Sequence, residues 1–435
     1  MERRNFLKGL AGSGLLGMLG SRITTTRAQQ VRDARFPDNL ADSLGKRSGH
    51  LIADVRAHII GPGDRKNLVL LEIETDQGVV GYSEATLEGK AKTMQAALTE
   101  LPRFLLGKDP TMIEHLWQYI YRTAFWRGGP VMNTVLSAMD IALWDIKGKI
   151  LNCPIYDLLG GPVRDKIKMY SHWGASMDAS VSEMRDLGME VYEAGYRAVK
   201  TSPRPPVSAS PGPAEMKRQV GYFERMREAL PDEVDIAIDF HGRFSPAAAI
   251  RFGQAIDHLN CLFYEEPCLP ENVDAMAKIA DQVSTPIATG ERIFLKWGFV
   301  PYLEGHIVDI IQPDIIHAGG ISETRRICAM AEAYYATTAL HCPYGPFALA
   351  ACLQVDATIP NFLIQESAIP WRQGGTPFRK EIVIESIEII EDGYLTLPKK
   401  PGLGVELNLE ILGKYPYRPD SQGIIFHEDN SLADW

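Results

Sequence analysis

Cysteines are few in this chain, and none stands at a spacing in which cysteines usually act together. The six cysteines, between positions 153 and 352, include no Cys-x-x-Cys pair. This pattern argues against a zinc ribbon and against a fold organised by disulfides. One or two disulfides stay open if the protein is exported, but the sequence does not pair them.

The chain also lacks an excess of basic residues. It has 45 Lys and Arg against 55 Asp and Glu, a formal net charge of −10 at pH 7. Such an acidic protein is a poor partner for nucleic acid or for an anionic membrane surface. A weakly apolar run at residues 9–20 is too short to span a bilayer. We therefore expect neither kind of partner for the mature chain.

Residues 1–28 are typical of an export leader. The segment Arg3-Arg4-Asn5-Phe6-Leu7-Lys8 resembles the twin-arginine export motif, and the apolar run follows it. Thr26 and Ala28 supply the small residues of a cleavage site, and cleavage there would shift the formal charge to −14 because five basic residues and one acidic residue are removed. We predict a periplasmic or otherwise exported protein, which stays in the cytoplasm if the leader is not functional.

Two kinds of pattern follow the leader. Residues 29–50 are mostly polar and are interpreted as a linker. Alternating apolar and polar residues predict an antiparallel meander at 51–60, 67–75 and 79–84. Helical periodicity follows at 91–104, 111–121 and 132–149. We therefore predict an α+β unit over residues 51–165. Its turn residue Trp126 is expected in the core, with a substrate contact as the alternative.

From residue 166 short apolar strands alternate with helices, which is typical of a parallel sheet. Eight strand ends are enough to close a barrel, and we place them near Tyr170, Lys200, Asp239, Glu265, Glu291, Asp314, His341 and Glu366. We predict that this α/β barrel spans residues 166–380. Hairpin patterns return at 382–391 and 394–397, so residues 381–435 are expected to return to the cap.

Three acids recur at a fixed interval of 26 residues: Asp239, Glu265 and Glu291. Each follows an apolar run, so each is expected at the mouth of the barrel, where Mg²⁺ would find the oxygen ligands that it prefers. Any one of them could instead be a solvated acid or a helix cap. The repeated interval favours a metal site for the three together.

Further acid–base residues stand at neighbouring strand ends. His241 follows Asp239 by two residues and would lie on the same side if the strand continued that far, although a lone histidine is more often structural. Asp314 and His341 end adjacent strands, so the carboxylate can orient the imidazole as a general base. Glu366 closes the eighth strand, where a structural and a functional role are equally open.

Seven motifs occur in order along the chain: Trp144-Asp145-Ile146-Lys147-Gly148-Lys149, Asp239-Phe240-His241-Gly242-Arg243, Glu265-Glu266-Pro267, Gly290-Glu291-Arg292, Gln312-Pro313-Asp314, His317-Ala318-Gly319-Gly320 and His341-Cys342-Pro343. On these motifs the chain resembles the enolase superfamily, in its mandelate racemase and muconate lactonizing enzyme branch. It is most similar there to the galactonate dehydratase family. The resemblance extends from about residue 51 to the C-terminus.

The resemblance implies a modified TIM barrel, (β/α)7β, with an α+β capping domain built from both ends of the chain. It implies Mg²⁺ on the three evenly spaced acids. It further implies that His341, oriented by Asp314, is the base, that His241 is the acid that protonates the departing 3-hydroxyl, and that Glu366 stands at the substrate carboxylate. The implied partner is a small sugar acid, an aldonate, and a homo-oligomer is expected.

Two departures from the family bear on the substrate. The second barrel strand ends in Lys200-Thr201-Ser202, where galactonate dehydratases carry Lys-x-Asn and racemases a second lysine. The loop at 203–213 holds five prolines. A racemase, an epimerase or a cycloisomerase on the same scaffold is the alternative enzyme, and a sugar-acid binder without turnover is the alternative outside catalysis.

Overall fold

The structure of the protein, a computed structural model, describes residues 38–62, 67–204, 207–366, 377–419, 424–427 and 429–434. The export leader predicted at residues 1–28 lies outside these ranges, so it stays a prediction. Within these ranges no helix combines the length and the apolar character that crossing a membrane requires.

A three-stranded antiparallel sheet forms the centre of the cap. Its strands are β1 (Ile52–Ile60), β2 (Leu68–Thr75) and β3 (Val80–Glu84), in that order across the sheet. The cap helices are α1 (Asn39–Leu44), α2 (Ala91–Leu98), α3 (Pro102–Leu105), α4 (Ile113–Thr123) and α5 (Gly129–Ile150). The helix predicted at 91–104 is therefore wrong in its length. Pro102 has no N–H to continue α2, and it begins α3 instead.

Helix α5 packs across the sheet and closes the core of the cap. Its buried side chains include Met139 and Leu143, which belong to one apolar cluster with Leu71 and Trp117. Gly81 makes the close approach of strand and helix feasible, because a Cβ there would lie 2.2 Å from the carbonyl oxygen of Ala142. The antiparallel meander and the helical stretches predicted for this unit are present.

A parallel barrel follows the cap. Its strands are β5 (Ser171–His172), β6 (Ala198–Thr201), β7 (Asp235–Asp239), β8 (Phe263–Glu265), β9 (Ile287–Thr289), β10 (Ile310–Ile311) and β11 (Thr337–Thr338), which follow β4 (Lys166–Lys168) and pair in chain order. Residues 362–365 close the ring. Leu363 N–H donates to Thr338 O (2.8 Å) on one side, and Gln365 N–H donates to Lys168 O (2.9 Å) on the other.

Helices cover the outside of the barrel: α6 (Ile155–Leu158), α7 (Val181–Glu193), α8 (Pro213–Ala229), α9 (Pro246–Ile256), α10 (Val273–Ala280), α11 (Leu295–Glu304), α12 (Gly320–Ala333) and α13 (Pro346–Asp356), with a short 3-10 helix at Asp257–Leu259. One buried side chain from each of the eight strand positions fills the inside: Tyr170, Ala198, Ala237, Phe263, Ala288, Ile310, Ala339 and Ile364. Four large residues and four alanines fill this layer together, so it closes without a pore.

The C-terminal segment contains α14 (Pro377–Glu381), β12 (Ile390–Glu391), β13 (Tyr394–Thr396) and a 3-10 helix at Leu409–Gly413. The strand predicted at 382–391 is mostly wrong in its length, because only its last two residues form a strand, but the hairpin that it was expected to form with residues 394–397 is present. Strand β13 pairs with both β12 and β4. The segment also packs on the cap, where buried Asp145 accepts N–H bonds from Tyr82 (2.9 Å) and Leu403 (2.8 Å).

Candidate active site

A cavity of about 650 Å³ opens at the carboxyl ends of the barrel strands, beneath the cap. Five of the seven predicted site residues line it: Asp239, His241, Glu291, His341 and Glu366. The other two, Glu265 and Asp314, are buried behind these side chains and contact them through Lys200 and His341. Leu87 and Glu88 of the cap line the cavity from above.

The three evenly spaced acids end three neighbouring strands. Asp239 and Glu265 are the last residues of β7 and β8 and stand directly opposite each other in the sheet. Glu291 follows the end of β9 by two residues. All three side chains are buried or nearly so, which raises the electrostatic cost of leaving their charges unpaired.

Lys200, near the end of β6, lies among these carboxylates. Its Nζ is 2.8 Å from Glu366 Oε1, 3.0 Å from Glu265 Oε2 and 3.9 Å from Asp239 Oδ2. The lysine is only 4% exposed. Burial lowers its pKa, but the surrounding carboxylates prevail and raise the pKa well above its ordinary value. Lys200 is therefore a fixed positive charge at the floor of the cavity.

The acids differ in their affinity for protons. Burial and the neighbouring acids raise the pKa of Glu265 to about 7 even though Lys200 opposes the shift. Burial also acts on Asp239, but His241 and Lys200 hold its pKa below the ordinary value. His341 has the same effect on Glu291, whose pKa is lowered against the effect of burial. The three carboxylates of this cluster therefore differ in pKa, which is raised for Glu265 and lowered for Asp239 and Glu291.

The donor chemistry of Asp239, Glu265 and Glu291 fits Mg²⁺, since all three offer carboxylate oxygens at one end of the barrel. Their side chains are nevertheless turned toward cationic partners, and within the described ranges no group of three acidic, histidine or cysteine side chains is arranged to hold a metal ion. Lys200, His241 and His341 form ion-pair contacts with Glu265, Asp239 and Glu291 respectively.

Asp314 and His341 form the predicted dyad. A parallel bridge pairs their backbones, and His341 Nδ1 lies 2.7 Å from Asp314 Oδ2. Because a carboxylate can only accept, Nδ1 carries the proton. Nε2 points toward Glu291 Oε2 at 2.8 Å and toward Glu366 Oε2 at 3.8 Å. Burial lowers the pKa of His341, but these acids prevail and raise it well above the ordinary value.

His241 reaches Asp239 by a tight turn and not by strand alternation. Strand β7 ends at Asp239, and His241 has φ +55°, in the left-handed region that costs a non-glycine residue about 1–2 kcal/mol. The turn brings His241 Nε2 to 3.0 Å from Asp239 Oδ2. Arg243 Nη2 donates to Nδ1 (3.0 Å), so the ring proton lies on Nε2.

Glu366 joins the base to the floor of the cavity. Its Oε2 accepts the backbone N–H of Cys342 (2.9 Å), the residue after the dyad histidine. Its Oε1 contacts Lys200 Nζ at 2.8 Å and His172 Nε2 at 3.3 Å. Burial opposes ionisation, but Lys200 and His341 hold the pKa of Glu366 well below its ordinary value.

Sequence reasoning missed Lys200 and His172 as site residues, although a simple signal marks them. Each lies two residues after a member of the apolar layer inside the barrel, and period-two alternation gives it the same orientation. The same spacing holds for most of the site: His172, Lys200, Asp239, Glu265, His341 and Glu366.

Trp126, predicted in the core, is 86% exposed.

A parallel barrel with acids, histidines and a lysine at the carboxyl ends of its strands has the arrangement of barrel enzymes that perform acid–base chemistry. Residues 53–160 match the N-terminal domain of mandelate racemase and muconate lactonizing enzyme, and residues 183–411 match the enolase C-terminal domain-like family. The chain belongs to the enolase superfamily, in its mandelate racemase and muconate lactonizing enzyme branch. Members of this superfamily are enzymes that bind Mg²⁺.

Solved structures agree with this assignment. A provisionally named dehydratase from Mesorhizobium loti is 34% identical, with a TM-score of 0.77 over 84% of this chain and 99% of that chain. A provisionally named dehydratase from Salmonella enterica is 32% identical, with a TM-score of 0.79 over 84% and 98%. A provisionally named galactarate dehydratase from Agrobacterium radiobacter, with sodium and L-malate bound, is 33% identical, with a TM-score of 0.81 over 88% and 100%.

Proposed function

We propose that the protein is a Mg²⁺-dependent acid-sugar dehydratase, similar in its reaction to galactonate dehydratase. It removes the proton α to the carboxylate of an aldonate and eliminates the 3-hydroxyl as water, giving a 2-keto-3-deoxy sugar acid. The observation that carries the proposal is that two histidines with separate acid partners, His341 and His241, line one cavity. The dehydratase names of its structural neighbours support the same reaction class.

His341 is the base in this proposal. Its Nδ1 proton is held by Asp314, so a second proton taken at Nε2 gives an imidazolium that Asp314 stabilises. Nε2 must first lose the proton that it shares with Glu291. Mg²⁺ bound by Asp239, Glu265 and Glu291 would supply positive charge for the enediolate that remains when the α proton leaves.

His241 is the acid. Hydroxide is a poor leaving group, so elimination requires a proton on the departing 3-hydroxyl. Burial lowers the pKa of His241, but Asp239 prevails and raises it, which favours the protonated ring that an acid requires. To serve as the acid the ring must carry protons on both nitrogens, so the contact of Nδ1 with Arg243, which can only donate, has to open before Nδ1 is protonated. Without this acid the base could exchange the α proton but would not complete the elimination.

Glu366 lies where the substrate carboxylate is expected. Two negative groups cannot lie side by side in a buried site without positive charge between them. Lys200, which contacts Glu366 Oε1, supplies that charge, and His172 Nε2 lies 3.3 Å from the same oxygen. Loss of either is therefore expected to weaken substrate binding more than it slows the chemistry.

The test is a dehydration screen of hexonates and pentonates with Mg²⁺, with detection of the 2-keto product and of deuterium exchange at C2. Wild type should dehydrate at least one aldonate. His241→Asn should keep C2 exchange and lose dehydration, and His341→Ala should lose both. Loss of both activities in His241→Asn would contradict the assignment of acid and base.

Two rival functions give different results in the same screen. Deuterium exchange at C2 without loss of water, across the whole panel, would favour a racemase, an epimerase or a cycloisomerase. Binding of an aldonate equally by wild type and His341→Ala, with no turnover by wild type, would favour a binder. The pairing of an oriented base with a separate acid argues against the binder, since binding alone requires neither.

A further inference from the structure

A chain of three hydrogen-bonded side chains runs from the cap to the neighbourhood of the base. Thr134 lies on cap helix α5, His317 follows barrel strand β10, and Tyr344 follows β11. His317 Nδ1 is 2.7 Å from Thr134 Oγ1, and His317 Nε2 is 3.1 Å from the Tyr344 hydroxyl. All three are buried, and both His317 and Tyr344 line the cavity. None of the three has a part in the reaction proposed above.

The position of each proton in this chain follows from the partners. Thr134 has one hydroxyl proton, and it donates this proton to the carbonyl oxygen of Pro130 (2.6 Å). The threonine oxygen can therefore only accept from His317, which places a proton on Nδ1. Burial lowers the pKa of His317, so the ring is neutral and Nε2 offers a lone pair. Tyr344 then donates its hydroxyl proton to Nε2.

The ring of Tyr344 stands between two imidazoles. It lies perpendicular to His317, at 90° with ring centroids 5.7 Å apart, and perpendicular to His341, at 88° with centroids 6.0 Å apart. An aromatic ring held in this way limits the rotation of the base toward the cap. The hydroxyl bond to His317 fixes the rotation of the tyrosine in turn.

We propose that Thr134 holds His317 as the Nδ1–H tautomer and that His317 is thereby a positioning residue for Tyr344 beside the base His341. The position of the cap on the barrel then affects the position of the base through the hydroxyl of Thr134. The role of His341 as a base rests on the proposed function. The tautomer of His317 does not, and it can be measured separately.

The first experiment reads the tautomer by long-range ¹⁵N–¹H correlation spectra of the full chain labelled at histidine nitrogens. His317→Asn identifies the signals of His317 by their loss. Wild type and Thr134→Ser, which keeps the hydroxyl, should show the Nδ1–H pattern for this ring. Thr134→Val, which keeps the shape of threonine and removes the hydroxyl, should lose that pattern. An Nε2–H pattern in wild type would overturn the inference, whether or not the protein turns over any aldonate.

The second experiment measures kinetics of the same variants on a substrate found in the screen. Thr134→Val should lower kcat by about tenfold with little change in KM, because a small misplacement at a reacting group slows the chemical step. Thr134→Ser should restore wild-type kcat. Tyr344→Phe should lower kcat as well, and its effect should not add to that of Thr134→Val because both break one chain. Equal kcat in the valine and serine variants would overturn the positioning role.

Discussion

Replacing Lys200 with methionine should make the stability of the protein depend on Mg²⁺ more steeply than in wild type. The substitution keeps the length of the side chain and removes its charge. Three carboxylates lose a cation at once, because Nζ lies 2.8 Å from Glu366, 3.0 Å from Glu265 and 3.9 Å from Asp239. These acids then repel one another in a buried cluster.

The size of the effect follows from these distances. At an effective dielectric constant of about 20, each of the two shorter contacts corresponds to roughly 5–6 kcal/mol of Coulomb attraction and the longer one to about 4 kcal/mol. Desolvation offsets most of this sum, and removing one partner of a buried pair typically costs about 3–5 kcal/mol. Uptake of a proton by Glu265, whose pKa is already about 7, limits the loss. We therefore expect a larger loss at pH 8 than at pH 6.

Denaturant unfolding in EDTA and in Mg²⁺ at about 100 times Kd measures the effect. Lys200→Met should lose about 4 kcal/mol in EDTA. With the concentration fixed at about 100 times the wild-type Kd, Mg²⁺ should add about 2.7 kcal/mol to wild type and more than that to Lys200→Met, whose unpaired acids bind Mg²⁺ more tightly. The matched control is Lys168→Met, whose charge lies 4.0 Å from Asp235 at a half-exposed site. It should change stability by less than about 0.5 kcal/mol. A loss below about 1 kcal/mol for Lys200→Met in EDTA would refute the reasoning, because it falls well short of the cost of unpairing a buried charge.

Two further predictions concern the contacts between cap and barrel. Burial raises the pKa of Asp140 to about 7, although Ser322 N–H donates to it. The folded state thus binds a proton that the unfolded state loses near pH 4, and wild-type stability falls as pH rises from 4 to 7. Asp140→Asn should gain about 2 kcal/mol relative to wild type between pH 5 and pH 8, measured by denaturant unfolding at both. Fully buried Glu84 accepts N–H bonds from Gly345 (3.1 Å) and Ala348 (3.3 Å) at the start of α13. Glu84→Ala should cost about 2–4 kcal/mol in the same assay because both donors lose their acceptor, and Glu84→Gln should cost clearly less.

The positions of the barrel strands could be predicted closely from the sequence. Asp239 and Glu265 end their strands as expected, because apolar runs bounded by turn residues mark a buried strand and its last residue. The end at Glu366 was also found, although the structure holds that strand by single bridges at Phe362 and Gln365. Local pattern is enough where the strand is short and buried on both faces.

Predictions that depended on distant partners were less accurate. Trp126 is mostly exposed although tryptophan is usually buried. The prediction was wrong because nothing in the neighbouring sequence shows what packs on the turn. The side-chain direction of His241 depends on a left-handed turn that the strand pattern does not reveal. Lys200 meets Glu265 across 65 residues of chain, so no local rule pairs them.

The geometry of the barrel explains why these residues meet although no local rule pairs them. The apolar layer inside the barrel takes one residue from every strand, and the residue two positions later stands in the layer above, at the mouth. Lys200 follows Ala198, and Glu265 follows Phe263, by this same step. Two strands depart from this step. On β10 the position is held by Gln312, and on β9 it is held by Gly290 because a Cβ there would lie 2.6 Å from the backbone of Gln312. The acid of β9 comes one residue later, at Glu291. It therefore lies outside the layer that holds Lys200 and Glu265, and it contacts the base His341 instead. One close approach between two strands thus decides which of the three evenly spaced acids contacts His341.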